Sequence, residues 1–329
     1  MLVLFQRNDL SSFLILVFFV FALRLPYFLL PIDVSVLGDF YTSGVFSFHF
    51  LKDWYIAAPK IYLFLSTVVW ILFAVYIKSV VVKERLLSRK DFVSAMAFVL
   101  LTSALPQFVI ISVHSIAVFL VFIAFSRIIS TQYNRSARAH YFFIGFILGL
   151  AFCVHWSNAL FLLSSLWILL RLRIFVVQEY AALLIGFLLP IYLLTGLQYV
   201  IDGQFKFFSL FNMNIVLPTS ITHPWAVAVL MLLCLILGAA GILLYRNNKS
   251  ENKLQLTKKW NALLVYLFFA VLVGCFSRTF PESNWVHALL PLSIILSSAY
   301  TNNRKKYNTF TFYLSILAVL SIQWVLRLV

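Results

Sequence analysis

The side chains able to do chemistry are few. The chain of 329 residues holds 10 Asp and Glu, 6 His and 3 Cys. Asp39 follows Gly38 in an aromatic, small-residue stretch, and Arg24 lies upstream in apolar sequence just before Pro26. A carboxylate in that setting suits a general base at a membrane surface, and an isolated Arg suits an anionic lipid head group. The plainer reading has Asp39 capping an interfacial helix and Arg24 snorkelling to lipid phosphates. His114 in ISVHS and His155 in CVHWSN each sit beside a turn between apolar runs. A His near a helix end is commonly a hydrogen-bonded structural residue. Two at the tips of adjacent hairpins also suit one shared cavity that takes phosphate or metal. The stretch RTFPESNWVHALLP sets Arg278, Glu282 and His287 around a turn and a helix start, as one polar surface or as a solvated, capped turn. No HxxxH or HExxH spacing occurs, so a metal site would need ligands from distant segments, and no cofactor is expected.

The elements that position these residues are apolar. Hydrophobic types make up 63% of the chain and charged types 11%, against about 25% charged in a soluble domain. Mean hydropathy is +1.01. The apolar runs are continuous rather than alternating, so the expected fold is all-α and polytopic, not a barrel. Eleven spans are expected, at about 11–31, 60–82, 92–108, 110–130, 141–154, 157–172, 180–200, 224–245, 260–277, 285–300 and 309–327. The pairs 92–108 with 110–130 and 141–154 with 157–172 read as tight hairpins, and three of these four runs are short for a full crossing. Arg7 precedes the first run without a small-residue cleavage site after it, so that run reads as an uncleaved span.

Basic residues set the orientation. With the N-terminus in the cytoplasm, 19 of the 25 Lys and Arg fall on the inner side. An odd number of spans then puts the C-terminus in the periplasm. Five of the six histidines, with Asp33, Asp39, Asp53, Asp202 and Glu282, fall on the outer side. Trp54, Trp156, Trp225 and Trp285 are outer as well, and fit an interfacial belt first and a sugar-stacking platform second. Cys153, Cys234 and Cys275 show no metal or redox spacing and read as small apolar fillers.

Residues 1–329 read as a single transmembrane domain with outer loops 32–59 and 201–223 and no separate soluble domain. The net charge of +15 is topological, and nucleic acid is not an expected partner. No GxxxxGK[ST] or GxGxxG motif occurs, so the chain carries no nucleotide site of those types.

Two resemblances bear on function. The stretches SARAHYFFIGFILGLAFCVHWSNALFLLSSLWILLRLRIFVVQEYAALLIGFLLPIYLL, NNKSENKLQLTKKWNALLVYLFFAVLV and VHALLPLSIILSSAYTNNRKKYNTFTFYLSILAVLSIQ resemble an uncharacterised family of multipass inner-membrane proteins from Bacteroidetes-type bacteria. ALRLPYF with the acidic loop after it, LPQFVIISVHSIAVFLVFIAFSRIIS, and GLAFCVHWSNALFLL look like parts of C-type glycosyltransferases that use polyprenyl-phosphate-linked sugars. This second resemblance implies a site at the periplasmic face, an isoprenoid-linked donor and a first-loop Asp as base, which falls on Asp39 or, second, Asp33. The chain departs from that family in its shorter first loop, its less sharp acidic motif and its lack of a soluble outer domain. The leading expectation is a bacterial inner-membrane protein of cell-envelope biogenesis, glycosyltransferase-like if it is an enzyme. In it Arg24 and Arg278 contact phosphate, and His114, His155, Glu282 and His287 line the cavity. The other reading is a non-catalytic scaffold subunit of a secretion, motility or envelope complex, with membrane lipids and envelope proteins as partners.

Overall fold

The computed structural model describes residues 2–30, 32, 49–87, 91–131, 138–172, 176–203, 253–275, 285–301 and 305–328, with isolated helical positions between 225 and 241. Among the described residues the protein is nearly all helical, and no strand occurs. Each continuous apolar run must satisfy its backbone within itself if it lies in lipid, and a helix does that.

The elements in chain order are α1 (Leu2–Phe5), α2 (Leu10–Leu29), α3 (His49–Ala57), α4 (Pro59–Lys83), α5 (Val93–Thr102), α6 (Pro106–Val109), α7 (Val113–Ser130) and α8 (Arg138–Val154). A 3-10 turn, Trp156–Ala159, leads into α9 (Leu160–Leu172), followed by α10 (Val177–Asp202), α11 (Lys253–Cys275), α12 (Val286–Tyr300) and α13 (Lys305–Leu328). Six helices are long and apolar enough to cross a membrane: α2, α4, α7, α10, α11 and α13. The chain is thus a multi-pass, membrane-embedded protein. Shorter apolar helices occupy four more of the expected spans, and most of the expected span 224–245 lies outside the described residues.

The largest departure from expectation is at 92–108. That run is a half-length helix, α5, about 15 Å long at 1.5 Å per residue. All ten of its residues are buried. Pro106 is the physical cause of the break. It forces Leu105 into extended backbone (φ −121°, ψ 145°) and opens the short α6. The carbonyls freed between α5 and α7 need donors, because lipid supplies none. Tyr27 Oη and Gln323 Nε2 donate to the Ser103 carbonyl, and Ser66 Oγ and Trp70 Nε1 donate to Val109. Ser115 Oγ donates to Ile110, and Tyr62 Oη donates to Ile111 at 2.6 Å. Side chains of α4 therefore hold much of this strap in place. Ser112 and Ser115 then form a reciprocal capping box that starts α7.

Helices α8 and α10 pack with their backbones in contact. Gly145 and Gly149 face the carbonyls of Leu183 and Phe187, and Gly186 faces the carbonyl of Phe142. Small residues spaced four apart allow this approach in membrane helices.

The bundle end where α4 stops is tied by polar contacts. Glu84, Arg85 and Leu86 close α4 in a Schellman arrangement: Leu86 N–H donates to the Val81 carbonyl and Arg85 N–H to Val82. Arg85 takes the left-handed conformation (φ 53°) that this closure requires. Lys259 of α11 donates to the Glu84 carboxylate at 2.9 Å and to its carbonyl, and both side chains are buried. Trp260 Nε1 donates to the Leu86 carbonyl. Phe92 N–H donates to the Phe5 carbonyl, and Lys78 lies 3.6 Å from the centre of the Phe92 ring.

Candidate functional site

Arg24 lies inside the bundle with no exposed surface, so it does not snorkel. Its guanidinium sits beside the end of α5. Nε donates to Ser103 Oγ at 3.4 Å, one terminal nitrogen to Thr67 Oγ1 at 3.4 Å, and the other to Thr102 Oγ1 at 3.2 Å. Each hydroxyl spends its own hydrogen on a backbone carbonyl: Thr67 on Leu63, Thr102 and Ser103 on Val99. Only lone pairs therefore face the cation. Among the described residues no carboxylate pairs with Arg24. The compensating charge comes from the C-terminal end of the α5 dipole, equivalent to about half a negative elementary charge. Gln323 of α13 closes the nest by donating to the carbonyls of Leu23 and Ser103.

The second group is three histidines at the same end of the bundle. His114 is the second residue of α7, His155 is the N-cap of the 3-10 turn, and His287 is the second residue of α12. The ring centroids of His114 and His155 are 4.7 Å apart, and His155 lies within electrostatic reach of His287. All three are buried. Ser157 fixes the tautomer of His155: its backbone N–H donates to Nδ1 at 3.3 Å and its hydroxyl lies 2.5 Å from the same atom. With Nδ1 as acceptor, the neutral ring carries its hydrogen on Nε2. His287 is 1% exposed, and neither of its ring nitrogens has a hydrogen-bond partner among the described residues. Its ring lies 5.0 Å from Phe161, whose ring stacks on Tyr266 at 5.2 Å. The Tyr266 hydroxyl is likewise buried without a hydrogen-bond partner among the described residues.

The arrangement brings together His114, His155 and His287, and sets Arg24 in its own nest at the same end. Asp39, Asp33, Arg278 and Glu282 lie outside the described residues. Thr67, Thr102, Ser103, Ser157, Tyr266 and Gln323 were not singled out from the sequence. The pair Thr102–Ser103 ahead of Pro106 carried a signal, since two hydroxyls before a helix break in an apolar run need a polar partner. Among the described residues no three His, Cys, Asp or Glu side chains are arranged to hold a metal ion. Chemically, the histidines offer ring N–H donors and proton acceptors beside helix N-termini, where phosphate oxygens are well received. No family model, curated protein or solved structure matches this chain.

Proposed function

We propose that the chain is a bacterial inner-membrane protein of cell-envelope biogenesis that handles an isoprenoid-phosphate-linked sugar at the periplasmic face, in the manner of C-type glycosyltransferases. The observation that carries this reading is His287: a buried imidazole with both nitrogens unpaired among the described residues, within electrostatic reach of His155. A buried polar group left unpaired costs about 1–3 kcal/mol, which a bound anion at this position offsets. Three helix or turn starts meet at that place, and the cation Arg24 sits at the same end of the bundle.

In the proposed reaction Asp39 accepts the proton of the acceptor hydroxyl. The acceptor oxygen bonds to the sugar's anomeric carbon as the bond from that carbon to the phosphate oxygen breaks. The isoprenoid phosphate leaves as an anion, held by Arg278 and the histidines. Arg24, at the same end of the bundle, adds positive charge to the site.

The test is complementation of a deletion strain, with transfer of labelled sugar from an isoprenyl-phosphate donor measured in membrane vesicles. Asp39→Asn and His287→Phe are expected to abolish transfer while the protein stays in the membrane. Full rescue by both variants would overturn the catalytic reading. Combined with stable co-purification of envelope proteins, that outcome favours the scaffold subunit.

A further inference from the structure

At the opposite end of the bundle, between α9 and α11, runs a groove of about 310 Å³ lined by Trp167, Ile168, Arg171, Ala262, Leu264 and Val265, with Asn261 beside them. Its walls are apolar and its two polar groups are Arg171 and Asn261. Arg171 is in the last turn of α9 and is exposed. Trp167 is 52% exposed. Asn261 directly follows Trp260, whose indole is bonded to the turn after α4, so the groove mouth lies at the level where the helices end. Lys258 is three residues from Asn261 and so shares its helix face. Its neighbour Lys259 is neutralised by Glu84, and among the described residues no acid lines the groove.

We infer that this groove binds an anionic phospholipid, with one acyl chain along Trp167, Leu264 and Val265 and the phosphate on Arg171, Asn261 and Lys258. An apolar cleft between two membrane-embedded helices takes a lipid chain, and basic groups at its mouth select the head group by charge. Trp167 suits the boundary, with an apolar ring and one N–H donor. The site is independent of the histidine group and of the activity proposed for it.

The test uses the full chain in detergent micelles, with bound lipid counted by native mass spectrometry. The protein is titrated with phosphatidylglycerol, with phosphatidylcholine of the same chains, and with inorganic phosphate. The wild-type chain is expected to retain phosphatidylglycerol over phosphatidylcholine. Arg171→Gln is expected to cut that preference about fivefold, the worth of one interfacial cation. Ala262→Leu, which fills the groove, is expected to cut retention of both lipids. Arg127→Gln, an exposed cation on α7, serves as the control and leaves binding unchanged. Equal retention of the two lipids by the wild-type chain overturns the proposal. So does an undiminished preference in Arg171→Gln, or inorganic phosphate displacing the lipid at equal concentration.

Discussion

Arg24 separates a charge kept for function from one kept for stability, and Arg24→Met is the informative change. Methionine keeps most of the side-chain length and removes the charge. Three interhelical hydroxyl contacts at roughly 0.6 kcal/mol each give about 2 kcal/mol in favour of arginine. The α5 carbonyl end adds about 0.3–1 kcal/mol. Against this stands the desolvation of a fully buried guanidinium, which costs several kcal/mol per ion. The hydroxyls left behind keep their own bonds to backbone carbonyls, so methionine strands no donor. Arg24→Met is therefore expected to melt at or above the wild-type temperature in detergent, monitored by loss of the monodisperse peak after heating. Arg24→Ala leaves a cavity and should lose about 2–5 kcal/mol relative to Arg24→Met. Complementation should fail for both. If Arg24→Met unfolds as readily as Arg24→Ala, the charge is holding the bundle together and the reasoning is refuted.

Other parts of the fold yield sharper mechanical tests. Gly145→Ala pushes a methyl into the Leu183 carbonyl, a rigid neighbour, and should cost at least about 1–3 kcal/mol by thermal melting. Gly196→Ala has open space and should hold or raise the stability by up to about 1 kcal/mol. Lys259→Met strands the buried Glu84 carboxylate and should cost about 3–5 kcal/mol, while adding Glu84→Met should recover most of the loss in the same melt. Arg85→Gly relieves a left-handed residue and should stabilise the protein by about 1 kcal/mol, visible as slower proteolysis after α4.

The long helices were legible because each apolar run is both a hydropathy signal and a backbone requirement. Residues 11–31 and 60–82 foreshadow Leu10–Leu29 and Pro59–Lys83 closely. The adjacency of His114 and His155 was also legible, from their places at the tips of neighbouring hairpins. The break in 92–108 was not, although Pro106 marked it, because apolar composition continues through it without change. The burial of Arg24 was hidden for another reason. Its partners come from α4 and the end of α5, 43 to 79 residues away, and a snorkelling arginine has the same local sequence. Glu84 and Lys259 look like solvated loop charges until a separation of 175 residues closes. The glycine seam of α8 and α10 carried the GxxxG spacing of Gly145 and Gly149, but only the fold supplies Gly186 as the third contact.

The tie from Gln323 to the carbonyls of Leu23 and Ser103 orders events in time. It spans 300 residues to Leu23 and 220 to Ser103, so during synthesis the Ser103 carbonyl has Tyr27 Oη as its side-chain donor first, and Gln323 joins when α13 arrives. Helix α13 thus acts as a latch: it carries Gln323 across the carbonyls of Leu23 and Ser103 and closes the nest around Arg24.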